Sequence, residues 1–127
     1  MNTQDLLLRL VMSLGVTIKL TVVSLIIATF LGIIFALMSI SVRKALNAAS
    51  SLYLDLIRGT PLIVQAFFIY FGIPQLLQAM GFPVRLSPDL AGIITLSLNA
   101  GAYMSEIFRS GIMAVDKGQM EAARSLG

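Results

Sequence analysis

Leu20-Thr-Val-Val-Ser-Leu-Ile-Ile-Ala-Thr-Phe-Leu-Gly-Ile-Ile-Phe-Ala-Leu-Met-Ser-Ile-Ser-Val42 holds 23 residues without a charge. As a helix this stretch reaches about 35 Å, enough to cross a hydrocarbon core of about 30 Å with some tilt. A basic residue before an apolar run, here Lys19, also describes a secretory signal. The apolar region of a signal, however, runs only about 7 to 15 residues and ends at a small-residue cleavage site. The run is too long for that and reads as a retained membrane helix. Within it Ser24, Ala28, Gly32 and Ala36 recur every fourth residue, which sets four small side chains on one stripe and lets a second helix approach closely.

Composition agrees with this reading. Hydrophobic residues make up 57% of the 127-residue chain and charged residues 12%, against about 25% charged in a soluble average. The chain has no cysteine and no histidine. That removes disulfide frameworks, thiol nucleophiles, histidine bases and nearly all transition-metal sites. The net charge of +3 is spread without the clustered basic face that nucleic acid requires, so no nucleic-acid partner is expected. The six acidic residues are scattered and form no acid/base pair, which leaves an enzyme as the weakest class.

Outward from the first span, Met1 to Leu14 gathers Leu6, Leu7, Leu8, Leu10, Val11, Met12 and Leu14 around Arg9. It reads as an amphiphilic segment able to lie in the interface plane before the chain turns inward through Gly15 to Lys19. After the span, Ser41 to Gly59 is a polar connection in which Leu46, Leu52, Tyr53, Leu56 and Ile57 predict a short amphipathic helix on the membrane surface. Thr60 is placed to cap the next helix, with Pro61 as its first residue. A second span follows from Leu62 to about Gly81, aromatic-rich, carrying Gln65 near its start and expected to kink or end early at Gly72 and Pro74. Phe82 to Asp89 is a turn-rich connection. Leu90 to Ser105 is a third span of 16 uncharged residues, which reach only about 24 Å as helix, so a flank must contribute. With flanks, the three spans cover about residues 16–42, 61–81 and 89–107, giving an all-α integral membrane protein.

The third span is the most polar. Ser97, Gly101 and Ser105 form a second small stripe, and Asn99 near mid-span is the candidate for helix glue or for a wet pathway, with glue favoured. Gln65, Tyr103, Glu106 and Arg109 are the other pathway or packing candidates. Glu106 and Arg109, three apart, can form an intrahelical ion pair with a structural or gating role. Lysine and arginine counting sets the orientation. Arg43, Lys44, Arg58, Arg109, Lys117 and Arg124 fall on one side, six against three for Arg9, Lys19 and Arg85. The positive-inside rule places the N-terminus outside and residues 106–127 in the cytoplasm. Residues 106–127 break into two helical pieces, Glu106 to about Val115 and Gln119 to Leu126, separated by Asp116-Lys-Gly118, with 108–127 lying beyond the third span. Met120, Ala123 and Leu126 make an apolar edge on the second piece, with Glu121 and Arg124 one turn apart beside it. Periodicity alone allows either a helix docked in a groove on another protein or one resting on the membrane.

Gly118-Gln-Met-Glu121-Ala-Ala123-Arg-Ser-Leu-Gly127 resembles the first half of the EAA loop of bacterial ABC importer permeases, whose pattern is Glu-Ala-Ala, three residues, then Gly. Arg58-Gly-Thr-Pro-Leu-Ile-Val-Gln65 and Ala102-Tyr-Met-Ser-Glu106-Ile-Phe-Arg109 resemble the polar amino acid (histidine, glutamine, arginine type) permeases, in the same order and spacing. Ser110 stands where that pattern often has glycine. The resemblance implies a type I permease of about five spans in the bacterial inner membrane, paired with a second permease subunit, the same or homologous. It implies a cytoplasmic ABC ATPase and an extracellular or periplasmic amino-acid-binding protein as partners. Gly118, Glu121, Ala122, Ala123, Arg124 and Gly127 would belong to a coupling helix seated in a cleft of the ATPase. ATP would be bound by that partner, the permease being non-catalytic and without a cofactor. The resemblance also implies that the chain is the N-terminal part of a longer permease, cut within the loop. A secondary transporter or channel fragment would share the spans but need intramembrane charges or discontinuous helices for ion coupling, and apart from Lys19 and Glu106 at the edges the spans carry no charge; a small structural membrane protein would leave the three ordered motifs as coincidence.

Overall fold

α1 (Thr3–Ser39) is a single helix of 37 residues, about 55 Å long. It passes through Gly15 without a break, so residues 3–14 are not a separate surface segment, while Met1 lies outside the described residues. A lone glycine costs a helix only about 1 kcal/mol, and the Thr17 hydroxyl donates back across it to the Ser13 carbonyl at 3.0 Å. α1 ends before the apolar run does. Ile40 N–H still bonds the Ala36 carbonyl at 3.3 Å, and the Ser41 hydroxyl then accepts from Arg43 N–H at 3.2 Å, a side-chain turn that competes with helix.

The computed structural model describes residues 2–127, and its regular structure is all helix among them. After α1 come α2 (Lys44–Arg58), α3 (Leu62–Phe67), a π turn (Phe68–Gly72), α4 (Ile73–Ala79), α5 (Pro88–Met113) and α6 (Lys117–Ser125). Two helical stretches, Thr3–Ser39 and Leu62–Ala79, are long and apolar enough to cross a membrane. α5 has the length, at 26 residues, but carries the polar side chains already noted.

α1 and α5 pack side by side and run parallel, since their contacts advance together: Lys19 with Asp89, Ser24 with Ile93, Gly32 with Met104. Both small stripes face this seam, for Ser24, Ala28, Gly32 and Ala36 are all buried, as are Ser97, Gly101 and Ser105. The approach is close. A Cβ built on Gly32 would stand 2.8 Å from Met104 Cβ, and one on Gly101 would stand 3.1 Å from Leu31 Cβ. Parallel first and third helices require an antiparallel element between them, supplied by α3 through α4.

α2 is amphipathic as its spacing predicts. Ser50 and Leu54 are buried and Tyr53 and Ile57 half-buried, while Leu52 and Leu56 are exposed. The Ser50 hydroxyl donates to the Phe35 carbonyl at 3.0 Å and also meets the Ser39 hydroxyl. Tyr53 stacks on Phe35 with ring centres 4.1 Å apart.

The interruption expected at Gly72 and Pro74 takes the form of a π turn rather than a helix end. Pro74 has no N–H to give and its ring crowds the carbonyl four residues back. Widening the turn, so that Ile73 N–H reaches the Phe68 carbonyl, relieves that crowding while the helix continues. Pro61 sits at the cap position of α3, not in its first turn, and Thr60 does not cap it. The Thr60 hydroxyl instead donates to the Leu56 carbonyl at 2.8 Å.

α5 opens on Ser87, whose hydroxyl accepts from Leu90 N–H at 3.2 Å, with Pro88 and Asp89 in the first turn, where both are favourable. It then runs unbroken to Met113, so Glu106 to Val115 is the continuation of this helix and not a separate piece. The break comes only at Asp116, whose carboxylate accepts from Gly118 N–H at 2.9 Å and caps α6. Lys117 and Gly118 lie inside α6.

Candidate functional site

Three groups of side chains stand out, all borne by α5 or joined to it. The first is a polar hub near its middle. Asn99 Nδ2 donates to Gln65 Oε1 at 3.1 Å, tying α5 to the start of α3. Gln65 Nε2 in turn donates toward the Ile57 carbonyl at 2.7 Å, the Thr60 carbonyl at 3.0 Å and the Thr60 hydroxyl at 2.8 Å. One amide thereby gathers the α2–α3 connection and α5. Gln65 is only 9% exposed, and a buried amide left unbonded would cost about 1–3 kcal/mol. Next to it, the Tyr53 hydroxyl donates to the Leu98 carbonyl at 2.5 Å. Burial pushes the Tyr53 phenol up to about 12, so it remains a donor at any physiological pH.

The second group lies further along α5. Arg109 clamps Glu106 through two hydrogen bonds, Nε to Oε2 at 3.1 Å and Nη2 to Oε1 at 2.5 Å. Tyr103, about half exposed, lies one turn earlier, with the Arg58 guanidinium 5.9 Å from its ring centre. The third group is α6. Gly118, Glu121, Ala122, Ala123 and Arg124 all lie on it and are all exposed, and Glu121 and Arg124 do not pair with each other. Gly127 follows with φ +115°, the left-handed backbone that glycine accepts at a helix end. In fact every residue from Ser110 to Gly127 is exposed. The apolar edge of α6, Met120, Ala123 and Leu126, is exposed throughout.

The structure thus joins Gln65 with Asn99, and Glu106 with Arg109, and sets the α6 residues apart from both. Sequence reasoning missed Tyr53 as a bridging donor, Thr60 as an acceptor for Gln65, and the ion pair Lys19–Asp89 at 2.7 Å. The last was signalled by opposite charges at the same end of two spans predicted to run parallel. Among the described residues, no three His, Cys, Asp or Glu side chains come together in a metal-binding group.

Comparison with known proteins places this geometry. Residues 28–127 match the family described as binding-protein-dependent transport system inner membrane component. The chain is 46% identical over 114 residues to the arginine transport system permease protein ArtQ of Bacillus subtilis (strain 168), covering 90% of this chain and 50% of ArtQ. It is 40% identical over 111 residues to the putative glutamine transport system permease protein GlnP of Rickettsia bellii (strain RML369-C), covering 87% of this chain and 49% of that protein. It therefore spans about half the length of the curated relatives it matches. A crystal structure of an amino acid ABC transporter with histidines superposes with a TM-score of 0.72 at 40% identity, covering 94% of this chain and 56% of the other. Helical architecture, ordered motifs and these likenesses agree, and the chain belongs to the binding-protein-dependent transport system inner membrane components, among the amino-acid ABC transporter permeases.

Proposed function

We propose that this chain forms part of the permease of an amino-acid importer and receives ATP-driven movement through α6, docked on a cytoplasmic ATPase subunit. The observation that carries the reading is the isolation of α6. It has an apolar edge of Met120, Ala123 and Leu126 with Glu121 beside it, yet all of these are exposed, Met120 by 59% and Leu126 by 91%. A short amphipathic helix held clear by a capped turn suits a groove on a partner. Ala122 and Ala123 are small enough to let it seat deeply.

In this reading α5 is a third crossing, with its N-terminal end outside and α6 in the cytoplasm, as the lysine and arginine distribution favours. A second permease subunit completes the path, and an external binding protein delivers the substrate. The names of the relatives point to arginine or glutamine as the class of cargo. The permease performs no covalent step. Closing of the ATPase dimer moves the docked helices and shifts the permease between outward and inward openings, because the two states bind α6 differently.

The test is co-purification of the full-length permease with its ATPase, together with transport-coupled ATP hydrolysis. Glu121→Lys and Ala123→Asp should each weaken association and coupling while leaving the permease folded. Full binding and full coupling in both variants would overturn the assignment of α6.

A further inference from the structure

Three cavities follow one another along α3 and α4. The first, of about 350 Å³, is bounded by Gln78, Gly81, Pro83 and Arg85. The next, of about 220 Å³, shares Gln78 and Arg85 with it and passes Gln75 to reach Tyr70 and Phe71. The third, of about 320 Å³, shares Tyr70 and Phe71 and continues between Ala66 and Phe67 on one wall and Ala91 of α5 on the other. Because neighbours share their walls, the three make one groove. Its chemistry changes in one direction, from two amides and a guanidinium at the Arg85 end to aromatic rings and alanines at the other. Phe67 stacks on Phe71 with ring centres 5.9 Å apart, and Tyr70 meets Phe71 edge-on at 4.6 Å, so the inner wall is continuous aromatic surface. From Gln78 back to Phe67 the helix advances about 16 Å, close to half of a hydrocarbon core of about 30 Å. The groove is one leaflet deep.

Its charged end is uncommitted. Arg85 is exposed and pairs with no carboxylate, the ion pairs among the described residues being Lys19–Asp89 and Glu106–Arg109. Asp89, the acidic residue nearest to it in the chain, is the one that Lys19 holds at 2.7 Å. Gln78 Nε2 donates to the Val84 carbonyl at 3.0 Å and fixes the loop that carries Arg85. Met80 and Phe82 beside it are 71% and 58% exposed, apolar surface that suits lipid and not water. A soluble partner would meet Arg85 but leave the aromatic part of the groove empty, whereas an amphiphile with an anionic head uses both.

We infer that this groove holds one anionic phospholipid from the leaflet on the Arg85 side. Arg85 takes the phosphodiester, which its planar fork fits, with the amides of Gln75 and Gln78 beside it. One acyl chain runs inward over Tyr70, Phe71 and Phe67 and ends between Ala66 and Ala91. With no carboxylate free at the head, the site favours a lipid of net negative charge over one that carries its own cation.

The experiment uses the full-length permease in complex with its ATPase, stripped of lipid in detergent, and reads the affinity of the first lipid added back by native mass spectrometry. Dioleoylphosphatidylglycerol should bind about tenfold or more tighter than dioleoylphosphatidylcholine, the margin expected for one charge-assisted contact. Arg85→Gln should bring the first lipid down to the level of the second. Ala66→Phe fills the inner end of the groove and should weaken both lipids alike, about tenfold or more, with the preference between them intact. If Ala66→Phe does not assemble, Ala66→Leu serves, with a smaller loss for both. No preference in the unmodified complex, or a preference that survives Arg85→Gln, would overturn the assignment of the head. Affinities unmoved by filling at Ala66 would overturn the groove and leave Arg85 an ordinary surface charge. Oleate binding as tightly as the phosphatidylglycerol would overturn the phospholipid in favour of a free fatty acid.

Discussion

Replacing Gly32 with alanine isolates the close approach on which the α1–α5 seam depends. The new Cβ would stand 2.8 Å from Met104 Cβ and 3.0 Å from the nearest Phe108 ring carbon, whereas carbon atoms pack best at about 3.5–4.0 Å. The Phe108 ring can swing aside. Met104 Cβ cannot, because it is fixed to the backbone of α5, so the two helices must part. Overpacking of this kind costs about 1–3 kcal/mol. Alanine also gains about 0.8–1.0 kcal/mol over glycine from helix propensity, and that gain must be separated from the clash. Gly15 provides the control, since a Cβ there meets nothing within 4 Å in the same helix. Gly15→Ala should be as stable as the parent or slightly more so, and Gly32→Ala about 1–3 kcal/mol less stable than Gly15→Ala. The assay is unfolding of the full-length permease in mixed micelles of rising SDS fraction, followed by circular dichroism. Equal midpoints for the two variants would refute the seam as a glycine-dependent contact.

Further outcomes follow from the polar hub and from the cap of α6. Gln65→Leu leaves Asn99 Nδ2 and the Thr60 hydroxyl without their present partner and should cost about 1–3 kcal/mol, measured in the same micelle titration. Because Asn99 and Gln65 bond directly, the double variant with Asn99→Leu should cost clearly less than the sum of the two singles, and strict additivity would contradict the bond. Asp116→Ala removes the acceptor for Gly118 N–H and should weaken α6 by about 0.5–2 kcal/mol. Faster amide hydrogen exchange confined to residues 118–121 is the expected sign, and an unchanged exchange rate there would refute the cap.

The seam was legible in the sequence because its logic is local. Four small residues at fourfold spacing, and three more on α5, announce a face before any partner is known. Asn99 could be read as a side chain needing a partner, but the partner lies 34 residues earlier on another helix, and no spacing rule reaches across that gap. The inward face of α2 was not legible for a different reason. The apolar spacing marks the side that suits lipid, and Leu52 and Leu56 are indeed exposed. What turns to the protein is set by hydrogen bonds, since lipid is as apolar as leucine, and Ser50 and Tyr53 find theirs on α1 and α5. Gly15 was given the weight of a breaker that it does not have. It needs no left-handed backbone, and the long helix absorbs it.

The unbroken length of α5 has a mechanical meaning. From Gly101, where it is pressed against α1, twelve residues lead to Met113, a rigid arm of about 18 Å with α6 hung at its tip. Thirteen residues lead the other way to Pro88, an arm of about 20 Å ending beside the Lys19–Asp89 clasp. α5 nevertheless stays against α1 along most of both arms, at Asp89, Ile93, Met104 and Phe108, so the pair is braced by its full seam and not by the exposed clasp, which is worth only about 0–1 kcal/mol. Beyond Phe108 the brace ends, and from Ser110 onward every residue is exposed. A load applied to α6 therefore meets no joint between Met113 and the seam, and reaches α1 through a continuous rod.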